Sequence, residues 1–209
     1  MDLKNSIIPL FLLLLSSILG SCQSQDSKHV GGSCEGCEAI FEYKNKILTP
    51  VDTLPGFQHH EPKLKVTGTV LKRDGKTPAQ NVMVYIYHTN RQGVYETNGG
   101  ETGWAKRHGI YRGWVKTGKD GKYTFYTFRP GAYPDGGEPE HIHITIKEPN
   151  KNEYYLDEYF FDDDVLLSSE RRNAAENRGG SGIVHPIIES GILTVRRNII
   201  LGKNIPYYD

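Results

Sequence analysis

The 209-residue chain has no charge of either sign to spare, with 25 Lys and Arg set against 25 Asp and Glu. A nucleic-acid partner is excluded on that ground, because displacing phosphate counterions needs an excess of positive charge. Methionine and tryptophan are scarce, two of each, against 13 Tyr and 7 Phe. With few long stretches of helix formers, that aromatic content argues for strands and against a helical bundle. The three cysteines supply one Cys-x-x-Cys pair, Cys34 and Cys37, and no second pair to complete a four-ligand zinc site. No βαβ pattern surrounds them either, which disfavours a thioredoxin-like redox centre. The apolar run over residues 7–19 is too short to span a bilayer comfortably and is broken by Pro9 and the Ser16-Ser17 pair. The Arg178-Gly179-Gly180-Ser181-Gly182 stretch lacks a following Lys-Ser/Thr and so is a turn-rich loop rather than a phosphate cradle. Asp162, Asp163 and Asp164 do not meet the spacing of a calcium loop.

What is present begins with that short apolar run. It reads as the core of a signal peptide over residues 1–21, and Leu19-Gly20-Ser21-Cys22 resembles a bacterial lipobox. Cys22 is then expected to carry lipid and become the new N-terminus, giving an exported lipoprotein on the periplasmic or cell-surface side. The membrane would be a partner only through that lipid. Residues 22–62 read as a tether and N-terminal segment, flexible at first and then short and irregular along the main domain. Outside the cytoplasm Cys34 and Cys37 can oxidise, so a structural disulfide is expected, with a reduced or redox-active pair as the alternative.

The folded domain is expected over residues 63–209. Val66, Gly68 and Val70 alternate with Thr67 and Thr69, then a turn at Arg73-Asp74-Gly75-Lys76 leads to a second strand over 82–87. Further strands are expected at 123–128, 141–146, 154–160 and 191–200, and a short helix at 168–177. Several short strands between glycine turns predict an all-β fold, an antiparallel β-sandwich with long loops and little helix.

The chemistry concentrates near one strand. In His141-Ile142-His143-Ile144-Thr145-Ile146 the period of two puts both imidazoles on one face and the isoleucines on the other. Two strand histidines at i and i+2 can grip one metal ion, though a pair of exposed histidines reads equally well from this motif alone. Upstream, the rigid turn Arg129-Pro130-Gly131-Ala132-Tyr133-Pro134 would hold Tyr133 close to them. No carboxylate stands at a spacing that completes a two-histidine, one-carboxylate triad, since Glu140 adjoins His141 and points to the opposite face. A phenolate is the anionic ligand to consider, a hard oxygen that favours Fe(III). Trp104 and Trp114 read as packing or pocket wall, and His59, His60 and His108 as surface residues.

These motifs, taken in order, resemble the intradiol ring-cleavage dioxygenases, which include catechol and protocatechuate dioxygenases. The matching text is Val84-Tyr85-Ile86-Tyr87-His88-Thr89-Asn90 to Gly93-Val94-Tyr95, then Tyr111-Arg112-Gly113-Trp114, Gly121-Lys122-Tyr123-Thr124-Phe125, Arg129 to Pro134, and Pro139-Glu140-His141-Ile142-His143. The resemblance covers residues 63–205 and implies a non-haem Fe(III) held by Tyr95, Tyr133, His141 and His143. It also implies that Tyr95 stays on the metal while Tyr133 gives way to substrate. Fe(III) with two phenolates and a hydroxide is neutral, so such a centre can sit in a low-dielectric pocket. The implied partners are a catechol-type aromatic and O2, with cleavage between the two hydroxylated carbons to a muconate-type diacid. Assembly into a homo-oligomer is left open.

The chain departs from the family at two positions. Where family members carry an arginine three residues before the first histidine, this chain has Glu138, and a family glutamine falls at Asp157. Either another cation takes over the arginine's work, with Arg107 and Arg112 as candidate catalytic residues, or the enzyme is slower or takes a different ring. A noncatalytic exported β-sandwich that binds sugars or peptides is the alternative, because Thr117 to Phe125 also fits the looser Thr-x-x-Asp-Gly-x-Tyr-x-Phe pattern of such modules.

Overall fold

The computed structural model describes residues 29–209, so the signal segment and Cys22 lie outside the described residues. Two six-stranded sheets pack face to face. The first contains β1 (Val51–Thr53), β2 (Lys63–Leu71), β5 (Lys122–Phe128), β10 (Ile187–Glu189), β11 (Ile192–Arg196) and β12 (Ile199–Ile200). The second contains β3 (Met83–Tyr87), β4 (Arg112–Lys116), β6 (His141–Lys147), β7 (Glu153–Tyr155), β8 (Tyr159–Phe161) and β9 (Ile183–Val184). Among the described residues helix is limited to a 3₁₀ turn at Cys37–Phe41, α1 (Ala105–His108) and α2 (Ser169–Ala174). Ser168 caps α2 by accepting a hydrogen bond from the Arg171 amide.

Antiparallel ladders form the centre of each sheet, β2 with β5 and β3 with both β4 and β6. Short parallel pairs are added around them: β1 on β5, β11 and β12 on β2, and β9 on β8. Alternation within a strand says nothing about the direction of its partner, so these parallel pairs were not visible in the pattern. The sheet also begins earlier than residue 63, at Val51, because this three-residue strand is too short to stand out by alternation. The single strand expected over 154–160 is two, β7 and β8, with Leu156, Asp157 and Glu158 between them.

The core lies between the sheets. Val84 and Ile86 of β3 and Ile142, Ile144 and Ile146 of β6 face Val66, Val70, Tyr123 and Phe125 across it. The next residues in the same strands, Tyr85, Tyr87, His141, His143 and Thr145, therefore face outward from the second sheet. That outer face is partly covered in turn. The 3₁₀ turn brings Ala39 and Ile40 against Tyr85 and Trp114 in a second apolar cluster. Trp114 donates its indole N–H to the Ala39 carbonyl at 3.2 Å.

His88 at the end of β3 is fully buried, with Nδ1 2.7 Å from the Thr89 carbonyl and Nε2 2.7 Å from the Thr127 hydroxyl in the other sheet. Burial pushes its imidazole down to about 4 from an ordinary 6.5. Above pH 6.5 the ring is neutral whether the chain is folded or not. As pH falls from 6.5 to 4 the unfolded chain takes up a proton that the folded one refuses, so stability declines, by about 1.4 kcal/mol per unit for this group. His88→Gln protein is expected to be less stable at pH 7 but to lose stability less steeply between pH 6.5 and 4.5. Urea unfolding of the metal-free protein at both pH values measures the difference; equal slopes would show that His88 does not carry this effect.

Candidate metal centre

The outward face of β6 sets the position of the two histidines. Strand register puts Tyr87 of β3 directly opposite His143, and the two rings stack with centroids 4.4 Å apart at 15°. His108, at the end of α1, covers the other face of Tyr87 at 3.7 Å and 4°. The Tyr85 hydroxyl is hydrogen-bonded to His108 Nδ1 at 2.9 Å, and burial pushes this imidazole down to about 4. His108 is therefore a buried member of an aromatic stack and not the surface residue that its loop position suggested. Three rings in series fix the plane of His143.

The tautomer of His141 is set by its backbone. Nδ1–H donates to the Pro139 carbonyl at 2.7 Å, which leaves the lone pair on Nε2. Burial lowers this imidazole to about 4, keeping it neutral. Behind His143, the Glu158 carboxylate lies 3.4 Å from Nδ1, so the Nε2 lone pair turns toward the same point as that of His141. Burial alone would raise the Glu158 carboxyl, but chiefly the hydrogen bond with His143 brings it down to about 2. The carboxylate of this segment that faces the site is thus Glu158. Asp157 is turned away, with its carboxylate accepting the Asn177 and Arg178 amides at 2.7 and 3.1 Å. A one-residue shift at a strand end exchanges faces, and the break between β7 and β8 makes that shift invisible to motif matching.

Two loops bring the tyrosines. The Asn90 side chain accepts the Gln92 and Val94 amides, both at 3.0 Å, and curls the chain into the turn that presents Tyr95. The second loop is docked onto the first: Gly131 donates its amide to the Asn90 carbonyl at 2.9 Å, and Thr89 donates its hydroxyl to the Gly131 carbonyl at 2.8 Å. Gly93 has φ 75°, and an added Cβ would stand 1.9 Å from the Ala132 carbonyl oxygen, so only glycine permits this contact. The docking delivers Tyr133 to Tyr95.

The four side chains meet. Tyr95 Oη is 2.8 Å from Tyr133 Oη and 2.7 Å from His143 Nε2, and the two histidine Nε2 atoms are 3.1 Å apart. Donors each about 2 Å from a shared ion lie about 3 Å from one another, so this set fits a single metal ion. The chemistry also fits, since two facing ring nitrogens have no lasting stabilisation for their lone pairs without a cation between them. Burial, and then the hydrogen bond it makes to Tyr133, push the Tyr95 phenol well above its ordinary range, so metal entry must release its proton. Among the described residues no group of three or more His, Cys, Asp or Glu side chains is arranged to hold an ion instead.

The two arginines expected near the reaction part company. Arg107 lines a cavity of about 210 Å³ that opens onto Tyr95, Tyr133 and His143, with Trp104 as another wall. Arg112 is elsewhere, a correction to its expected role. Its guanidinium pairs with Glu42 at 2.7 Å, lies 5.0 Å from the Trp114 ring and anchors the segment after the 3₁₀ turn. It sits on an outward position of β4, but the fold covers that position with residues 37–42. Glu138 is not left uncompensated: Arg171 of α2 grips both its oxygens at 2.8 Å.

A family model described as Dioxygenase matches residues 44–179, the stretch that carries all four converging side chains. The chain belongs to the intradiol ring-cleavage dioxygenase family. It is 30% identical over 122 residues to a protocatechuate 3,4-dioxygenase beta chain of Burkholderia cepacia, covering 50% of this chain and 49% of that one. It is 36% identical over 91 residues to catechol 1,2-dioxygenase 1 of Acinetobacter lwoffii, covering 42% and 28% respectively. The chain thus spans about half the length of the first relative and less of the second. Among solved structures, the dioxygenase domain of a dioxygenase and carbohydrate-binding protein fusion from Streptomyces sp. SirexAA-E superposes with a TM-score of 0.51 at 19% identity, over 76% of this chain and 94% of that one. That likeness is one of fold. The intradiol dioxygenase match starts at residue 44, so Cys34, Glu35 and Cys37 lie outside it.

Proposed function

We propose that the protein is a non-haem Fe(III)-dependent dioxygenase that inserts both atoms of O2 into a catechol-type aromatic and opens the ring between the two hydroxylated carbons. The convergence of Tyr133, Tyr95, His143 and His141, linked in that order by contacts of 2.8, 2.7 and 3.1 Å, carries this reading. A sugar- or peptide-binding sandwich has no use for such a cluster. The relatives' names point the same way, one to protocatechuate and one to catechol.

Tyr95, Tyr133, His141 and His143 would hold the iron. The chemistry that bound Fe(III) supplies is Lewis-acid polarisation of the catechol oxygens, with no need for a reduced metal. His141 and His143 would donate through Nε2, oriented through Nδ1 by the Pro139 carbonyl and by Glu158. Tyr133 would be the group that gives way to substrate, and its Oη would take a proton from a catechol hydroxyl. Tyr95 remains in place, held between Tyr133 and His143. Tyr87 and Trp104 wall the cavity with aromatic surface that fits a flat ring and limits water. Arg107 is the cation on that wall, placed to stabilise negative charge that develops on the ring.

The test is to purify the protein, measure iron content and visible absorption, and add catechols under oxygen. Bound iron with a phenolate-to-iron absorption band and formation of a ring-opened diacid is the expected result. A colourless protein that remains iron-free after ferric reconstitution would leave the binding-module reading in its place.

The site of action follows from the export signal. Lipid on Cys22 anchors the enzyme outside the cytoplasm, a reading supported by the disulfide between Cys34 and Cys37, which suits an oxidising compartment. Cys22→Ser protein is expected to move from the detergent phase to the aqueous phase in Triton X-114 partitioning, and retention in detergent would refute the anchor.

A further inference from the structure

Residues 34–37 form a tight turn closed by the Cys34–Cys37 disulfide, whose Cα atoms are 5.7 Å apart. The turn is seated firmly on the outer face of the second sheet. Cys37 is buried with its sulfur 3.9 Å from the Thr145 hydroxyl, two residues along β6 from His143. Gly36 has φ 88°, and a Cβ there would stand 2.8 Å from His108 Nε2, so the turn presses directly on the aromatic stack. Between its two cysteines the turn carries Glu35, whose carboxylate pairs with Arg107.

That pair stands at the cavity that reaches Tyr95, Tyr133 and His143. Glu35 and Arg107 are the two fully charged side chains among the described residues that line it; the others are aromatic or imidazole. Glu35 also borders an adjoining cavity of about 230 Å³ shared with Cys34, Cys37, Tyr87, His143 and Glu158. Arg107 alone would make the wall cationic and attract a ring that bears a carboxylate. With Glu35 against it, the wall is neutral, and the carboxylate that lines the adjoining cavity, Glu158 behind His143, disfavours an anionic substituent.

We propose that Glu35, presented by the disulfide-closed turn, is a specificity-determining residue that masks Arg107 and so selects catechols without a ring carboxylate over carboxylated ones. The inference rests on the ring-cleavage reading above and deepens it by naming the substrate class. Both side chains are largely exposed, 72% for Glu35 and 64% for Arg107. The selection is therefore moderate and weakens with salt. The disulfide's part is positional: it holds Glu35 at the cavity, since a turn of four residues without the bond has little else to fix its carboxylate.

The test is a binding titration without oxygen. Iron-loaded full-length protein is titrated with 3,4-dihydroxybenzoate and with 4-methylcatechol, which are similar in size and differ in charge, and binding is followed by visible absorption. Wild type is expected to prefer 4-methylcatechol. In Glu35→Gln protein the preference is expected to shift roughly fivefold toward the carboxylated ring, the size of effect that exposed charge pairs give. The shift should disappear in the Glu35→Gln, Arg107→Ala double variant and at 1 M salt. Cys34→Ser, Cys37→Ser protein should reproduce part of the single-variant shift. An unchanged preference in Glu35→Gln would overturn the inference and leave ring cleavage standing. If iron-loaded wild type binds neither compound, the ring-cleavage reading fails and this inference falls with it.

Discussion

His141→Ala protein is expected to fold, to purify without colour and to show no ring-cleaving activity. The argument starts from the two faces of β6. Ile142, Ile144 and Ile146 carry the core contacts, while His141 and His143 point away from the core. Removing His141 would therefore delete a proposed metal donor without opening the sandwich. Loss of a residue that merely orients a ligand commonly lowers metal affinity 10- to 100-fold. Loss of the ligand itself should exceed that, so iron affinity is expected to fall by more than about 100-fold and turnover with it. The matched control is Ile144→Ala on the other face. It should lower the unfolding free energy by about 2–5 kcal/mol, as core truncations do, yet leave the purified folded fraction able to take up iron. Iron content and thermal unfolding of both proteins separate the two effects. An iron-replete His141→Ala protein would remove His141 from the ligand set.

Gly93→Ala is expected to have the next largest effect, and it acts through the backbone. The residue has φ 75°, and its Cβ would overlap the Ala132 carbonyl oxygen at 1.9 Å. Neither atom is the end of a flexible side chain, so the two loops must separate. They are the loops that carry Tyr95 and Tyr133, which now touch at 2.8 Å. A separation of even 1 Å would spoil a shared coordination point. Gly93→Ala is expected to lower iron occupancy and turnover at least about tenfold and to destabilise the fold by about 2–4 kcal/mol. Gly136→Ala provides the comparison, since that residue has φ 69° but nothing within 4 Å of an added Cβ. There only the cost of the left-handed backbone remains, about 1–2 kcal/mol, and iron binding should survive. Should Gly93→Ala bind iron as well as Gly136→Ala does, docking of the two loops would not be what places the tyrosines.

These two variants mark different kinds of information in the chain. The alternation in β6 can be read directly, because successive side chains on a strand point to opposite faces whatever surrounds them. The same holds for β2, β3 and β5, whose positions the expected strands anticipate closely. Motif order added the tyrosines, and two docked loops bring Tyr95 and Tyr133 to the outward face of β6 beside His141 and His143. Other features depended on what lies across a gap in sequence. Arg112 and Arg107 look alike in the chain, but residues 37–42 cover one and leave the other at the cavity. Asp157 and Glu158 are adjacent, and a break between two strands decides which of them backs His143. His108 reads as a loop residue until α1 stacks it on Tyr87.

By itself, then, the sequence determined the strand pattern, the inward and outward faces and the donor types, since these follow from local covalent geometry and side-chain chemistry. Only the tertiary structure decided which charges face the ligand cluster and which parallel strands complete the sheets. It alone set the disulfide-closed turn over Tyr87 and His108. Such contacts join residues dozens of positions apart, and their selection depends on packing and burial, which no short-range pattern encodes.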